Sequence, residues 1–352
     1  MTPPRCFDLT SRIAASLLAA GVAVPALGAV TLPHVFGNHM VLQRDMPLPV
    51  WGWAEPGETI TVTLGPHRAE THADARGDWR VRLPALPAGG PHELVVSGAN
   101  TLRVTDILVG EVWLCSGQSN MEMGLGVVAN GAEEVAAADF PRIRLLELPQ
   151  TAAGEPARDV AAEWRICRPD TVGAGNWGGF SAVAYFFGRE LHRELDVPIG
   201  LIDASWGGTL IEPWTPPGGF AAVPAVAVLA DEAERLDREY KERTLPASLA
   251  EIEAWVAASR AALAAGERLP DTPRWPQHPL AYPHTPTGLY NGMIHPLAPL
   301  AIRGALWYQG EANVHTDDGL LYTEKMKALI GGWRAVWGQG DFPFYYVQLA
   351  PF

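Results

Sequence analysis

The sequence predicts an α/β protein: a parallel sheet flanked by helices, preceded by a small β-sandwich. Three observations lead there. Between Val30 and Val109, short strand-like runs are separated by Gly, Pro and Asp-rich turns, and no long helix interrupts them. After Asp106, apolar runs alternate with helical stretches, the pattern of a parallel sheet covered on both faces. The chain has 352 residues, of which 48% are hydrophobic and 18% charged, enough for a sizeable core across both units.

Taken in order, the elements begin with an export signal over residues 1–29. Arg5 and Arg12 precede an apolar run, Ile13 to Ala29, that ends in small residues. The run is short and broken by Pro25, which disfavours a spanning helix. A secreted or periplasmic location follows. The β-sandwich module is assigned to residues 30–105, where Thr59 to Leu64 alternates strictly and Trp79 to Leu83 is a further strand-like run. The α/β unit then occupies 106–352. Its strands are expected at Ile107–Leu114, Ile143–Leu148, Ile199–Ser205, Ile302–Tyr308 and Phe344–Leu349, the last read as central. Helices are expected near Ala132–Ala138, Ala182–Leu195 and Tyr322–Trp337. Residues 223–266 read as a helical insertion, two helices around Pro246, serving either as a lid or as a plain surface hairpin.

The net charge of −13 argues against nucleic acid or an anionic membrane as a partner, since both would be repelled. Cys6 falls in the signal. Cys115 and Cys167 remain, either as buried thiols or as one bridge. No Cys/His cluster has metal-ligand spacing, and Glu190, His192 and Glu194 stand two residues apart, so they face different ways on a helix. No metal or cofactor is expected. Thirteen tryptophans suit a carbohydrate-handling surface, with Trp51, Trp53, Trp177, Trp206 and Trp214 as stacking candidates and Trp206 and Trp214 preferred.

Chemistry gathers in three polar clusters, each following a strand. The first is Ser116-Gly117-Gln118-Ser119-Asn120-Met121-Glu122. Ligand sites in open α/β sheets lie beyond the carboxyl ends of strands, so Ser119 is placed as a nucleophile with backbone N–H groups nearby. Met121 stands where a G-x-S-x-G elbow has its second glycine, so the usual α/β-hydrolase turn is absent. The second cluster, Asp203-Ala204-Ser205-Trp206-Gly207-Gly208-Thr209, ends in a glycine pair that lets backbone approach a ligand. The third is Trp307-Tyr308-Gln309-Gly310-Glu311-Ala312-Asn313. There Gln309 and Asn313 can donate to an oxyanion, and Glu311 can orient an imidazole or accept from a sugar hydroxyl. Alone, each cluster reads as an ordinary polar turn; together they indicate a site.

These three blocks, with Leu32 to Arg44 and Leu289 to Leu297, resemble in order the sialate O-acetylesterase family of the SGNH hydrolase superfamily. The resemblance covers essentially the whole mature chain. It implies a flavodoxin-like SGNH fold and a serine esterase that removes O-acetyl groups from carbohydrates, of sialic acid or plant-wall type, through an acetyl-serine intermediate. It assigns Ser119 as nucleophile and oxyanion donor, Gly207 or Gly208 as a second donor, and the Gln309–Asn313 block, including Glu311, to the remaining oxyanion and substrate contacts. It also implies a general-base histidine in an Asp-x-x-His segment downstream. No such segment follows Tyr345 to Phe352, so the chain reads as truncated before it. His295 and His315 are the substitutes within the chain, with His34 and His39 weaker. The competing reading is a carbohydrate-binding protein without turnover.

Overall fold

The computed structural model describes residues 29–314 and 319–350; residues 1–28 of the expected export signal, and His315, lie outside them. The strands are β1 (Val41–Gln43), β2 (Leu48–Trp53), β3 (Thr59–Leu64), β4 (His67–His72), β5 (Asp78–Leu83), β6 (Gly89–Ser97), β7 (Thr101–Gly117), β8 (Phe140–Glu147), β9 (Trp164–Cys167), β10 (Ile199–Ser205), β11 (Gly304–Tyr308) and β12 (Phe344–Tyr346). The helices are α1 (Ser119–Glu122), α2 (Gly131–Ala136), α3 (Pro169–Val172), α4 (Ala182–Leu195), α5 (Pro217–Ala221), α6 (Val228–Glu239), α7 (Leu245–Ala265), α8 (Glu311–Val314) and α9 (Gly319–Trp337).

The alternation read in β3 and β5 is realised. Ile60, Val62 and Leu64 are buried on one face of β3, and Trp79, Val81 and Leu83 on one face of β5. β5 pairs antiparallel with β2, while β4, β3, β6 and the first half of β7 form an antiparallel sheet. Their apolar faces join one core.

β7 is the spine of the molecule. Its first half pairs with β6 and β1, and its second half with β10 and β11. The expected boundary at 105/106 falls inside this strand. There Asp106 takes φ 54°, and the pairing to β6 shifts register between His92 and Leu94. Such a bulge bends and twists a strand without ending it. Arg144 Nη1 and His39 Nδ1 each bond the Asp106 carboxylate at 2.7 Å, and the Arg144 bond holds this carboxyl below its usual range against the effect of burial.

Beyond the bulge, β8, β10, β7, β11 and β12 run parallel, with β9 antiparallel at the β8 edge. Both faces are covered, as parallel sheets require. Val112 and Leu114 of β7 point into one core with Trp333 and Trp337 of α9; Trp113 and Cys115 point into another with Ala184 and Tyr185 of α4. Ser181 caps α4, its hydroxyl accepting from the Ala184 N–H at 3.2 Å. Cys115 and Cys167 are both buried and free.

Among the described strands β12, read as central, pairs with β11, and its Tyr345 and Tyr346 are exposed. Tyr345 lays its ring on Trp113, 5.7 Å between centroids, and keeps its hydroxyl end wet. One expectation is corrected: the helices around Pro246 are not separated by a break. α6 passes through a π turn, Tyr240–Thr244, straight into α7, with Pro246 in the first turn of α7. The wider turn absorbs the N–H that proline lacks.

Candidate active site

The site begins with register. Gly117 of β7 is paired with Ser205 of β10 on one side and with Tyr308 of β11 on the other. All three strands therefore reach their carboxyl ends in one row. Neighbouring strands are about 4.8 Å apart, so the three polar clusters leave the sheet within about 10 Å of each other. Backbone bonds lock this row: Gln118 N–H donates to Tyr308 O at 2.9 Å and Trp206 N–H to Gly117 O at 3.1 Å.

Ser119 opens α1 and is half-buried, neither enclosed nor fully exposed. Its hydroxyl has no hydrogen-bond partner among the described residues, and the N–H groups of Ser119 and Asn120 have no backbone acceptor there. The glycine turn lies against it: a Cβ added at Gly207 would stand 3.5 Å from Ser119 Cβ. Gly208 has φ 75° and open space around its missing Cβ, so conformation demands glycine there, whereas a Cβ at 207 would meet the Glu122 carboxylate at 2.8 Å.

The sequence left Gly207 and Gly208 as alternative oxyanion donors. Here the Gly207 N–H donates to Glu122 Oε2, whereas the Gly208 N–H has no acceptor among the described residues.

Gln309 and Asn313, expected to donate to an oxyanion, have their amides engaged within the protein. Both are buried. Gln309 Nε2 donates to Thr209 O at 3.0 Å and to Asn313 Oδ1 at 2.7 Å, which uses both of its protons. Asn313 Oδ1 also accepts from the Ile211 N–H, and its Nδ2 donates to Glu212. These amides tie the loop after β11 to the loop after β10. Glu311 accepts from Asn120 Nδ2 at 2.5 Å through Oε1, while its Oε2 is buried without a hydrogen-bond partner among the described residues.

Sequence reading passed over Gln118, Glu122, Gln150 and Asp203. Gln118 Oε1 accepts from the Gly310 and Ala312 N–H groups, joining the first loop to the third. A cavity of about 630 Å³ borders the loops after β7 and β10, lined in part by Glu122, Glu147, Gln150, Glu163, Asp203 and Ser205. No residue of the helical insertion lines it. Burial pushes the Asp203 carboxyl up to about 7, with Glu147 and Glu122 adding repulsion against the bond from the Ser205 hydroxyl. Burial, helped by Glu122, also raises Glu147 against the pull of Arg165.

Of the stacking candidates, Trp214 is fully buried, its indole N–H donating to Thr209 Oγ1 at 3.0 Å, and Trp51 is buried in the β core. Both therefore pack rather than stack. Trp206 is partly buried against the core, and Trp177 is 48% exposed. His295 Nδ1 is bonded to Ala157 O; His34 pairs with Asp159 and His39 with Asp106. Among the described residues no group of three His, Cys, Asp or Glu could hold a metal ion, and no helix is long and apolar enough to cross a membrane.

Comparison with known proteins agrees with this architecture. The pattern of the family described as carbohydrate esterase, sialic acid-specific acetylesterase, matches residues 109–235 and 274–352. Rat sialate O-acetylesterase is 33% identical over 339 residues, covering 90% of this chain and 59% of the relative. The human sialate O-acetylesterase is 32% identical over 336 residues, covering 89% and 56%. The crystal structure of XAC1771, a carbohydrate acetylesterase from Xanthomonas citri, matches with TM-score 0.69 and 36% identity over 91% of this chain and 60% of that one. The chain thus spans somewhat under two thirds of the length of the relatives it matches. With the family pattern covering more than half of its residues, the chain belongs to the sialic acid-specific acetylesterase family of carbohydrate esterases.

Proposed function

We propose that this protein is a serine esterase that removes O-acetyl groups from carbohydrates through an acetyl-serine intermediate. One observation carries the reading: Gly117, Ser205 and Tyr308 share a register row, which gathers the Ser119 hydroxyl and the Gly207–Gly208 turn at one end of the sheet. Ser119 Oγ attacks the acetyl carbonyl, and its proton passes to a base and then to the departing sugar oxygen. Water then cleaves the acetyl-enzyme to acetate. Charge on the carbonyl oxygen is met by the N–H groups of Ser119 and Gly208. Glu311 Oε2 is the acceptor available to an imidazole N–H or a sugar hydroxyl. The cavity beside Glu122 receives the sugar, with Glu147 and Glu163 as the carboxylates that accept from hydroxyls. Residues 1–29 act as the export signal, so the esterase meets its glycan outside the cytoplasm.

The test is hydrolysis of 4-nitrophenyl acetate by the full chain and by Ser119→Ala. A loss of at least about 10³-fold in the variant, with unchanged melting, supports the mechanism. Equal rates in the two proteins, or glycan binding with no hydrolysis in either, would overturn it, the second outcome favouring a binding protein.

A further inference from the structure

We infer that Glu122 is a positioning residue: its carboxylate takes up the Gly207 N–H and so fixes the glycine turn, leaving Gly208 to present its N–H to the carbonyl held at Ser119. This deepens the esterase reading and rests on it.

Glu122 closes α1, three residues after Ser119. One carboxylate oxygen accepts from Gly207 N–H; the other accepts from Gln150 Nε2 at 3.0 Å. Gln150 Nε2 also reaches Ser205 O at 3.4 Å, at the end of β10. The carboxylate is therefore held from two sides and joins the nucleophile's own turn to the loop of a neighbouring strand. A bond from a backbone N–H to an ionised carboxylate is stronger than one to a neutral acceptor. It suits a two-residue glycine turn, which has the most backbone freedom to lose.

The steric fit says the same. A Cβ at Gly207 would stand 2.8 Å from Glu122 Oε2, so turn and carboxylate touch with no room between them. Nothing lies within 4 Å of a Cβ at Gly208, so that part of the turn faces open space. A charge beside a forming oxyanion would by itself oppose catalysis. Glu122 offsets this by spending its oxygens on Gly207 and Gln150, so that it acts through the turn and not on the substrate.

The experiment compares Glu122→Ala, Glu122→Asp and Glu122→Gln in the full chain, reading kcat and KM on 4-nitrophenyl acetate. Glutamine keeps a carbonyl for Gly207 at the right reach, whereas aspartate keeps the charge and falls short. Misplacing one oxyanion donor costs on the order of 10²-fold in kcat, so Ala and Asp should fall by about that factor with KM within about threefold, and Gln should recover to within about tenfold of the parent. Unchanged kcat in Ala and Asp, or a Gln variant as damaged as they are, overturns the inference. If Ala fails to fold, the Asp–Gln pair decides alone. If the parent hydrolyses nothing, the esterase reading has failed, and hydrogen–deuterium exchange in the peptide containing Gly207 decides instead. Exchange accelerated in Asp but not in Gln upholds the clamp, and equal exchange in all overturns it.

Discussion

Gln118 Oε1 accepts a hydrogen bond from the Gly310 N–H at 3.2 Å, fastening the loop that carries Ser119 to the loop that leaves β11. The same oxygen takes the Ala312 N–H at 3.1 Å. Gln118→Ala leaves two backbone donors without this acceptor. Each unsatisfied buried donor costs about 1–3 kcal/mol, so a loss of roughly 2–4 kcal/mol is expected in urea unfolding. An unchanged midpoint would show that the tie contributes nothing.

The two glycines of the second loop should respond differently to alanine. Gly208→Ala places a side chain at φ 75° in open space, a conformational cost of about 1–2 kcal/mol without a clash. Gly207→Ala has no such conformational cost but drives a methyl into Glu122 and toward Ser119. It should therefore keep stability within about 1 kcal/mol while lowering kcat about 10²-fold, the usual result of misplacing catalytic groups by about 1 Å. Melting curves and esterase kinetics on the two variants separate these effects.

Asp203 predicts a stability that declines with pH. Its folded carboxyl is raised from 3.8 to about 7, chiefly by burial. Between those values the unfolded chain has released the proton and the folded chain still holds it, so stability falls as pH rises and levels off above about 7. At 1.36 kcal/mol per unit the whole effect is at most roughly 4 kcal/mol. Asp203→Asn keeps an acceptor for the Ser205 hydroxyl and should flatten this part of the curve. A parent protein whose melting temperature does not change from pH 4 to 7 would contradict it.

Glu111 predicts the opposite slope at lower pH. It is buried on β7 and accepts from Arg44 Nε at 2.5 Å and from Arg303 Nε and Nη2 at 2.5 and 2.9 Å. Burial pushes this carboxyl up, but the two guanidiniums outweigh it and hold the group below its ordinary 4.5. Its contribution is complete above the unfolded value and is lost as pH falls through the folded one. Arg303→Met should cost about 1–3 kcal/mol at pH 7, because it removes two charge-assisted bonds while Arg44 still holds the carboxylate. Urea titration of that variant at pH 7 and at a pH well below the folded value is the check; an equal cost at the two would count against the ionic origin.

What the sequence disclosed, and what it withheld, follows from how local each feature is. β10 was legible to the residue, since Ile199 to Ser205 is an apolar run bounded by Pro198 and the glycine pair. α4 was legible too, with Ser181 as cap and a buried stripe through Tyr185 and Gly188. The passage of β7 through Asp106 was not legible, because Thr105-Asp106 reads as a turn unless Arg144 and His39 are known to hold that carboxylate. The three loops could be named in advance because each carries its own composition. Which N–H of the glycine pair is already engaged depends on Glu122, 85 residues earlier, and no local pattern shows that. Gln309 and Asn313 misled for the same reason: their partners Thr209, Ile211 and Glu212 come from another strand's loop. Trp214 looked available until its ring was found edge-on to Trp307.

The continuity of β7 has a practical outcome for anyone wishing to trim or graft this protein. The Ser119 hydroxyl stands at the tip of a mast whose foot is planted among β6 and β1, so the strands from β1 to β6 are its ballast rather than a detachable cassette. Damage there, such as loosening the kink at Asp106, would be felt at the far tip without any change to a residue that touches substrate.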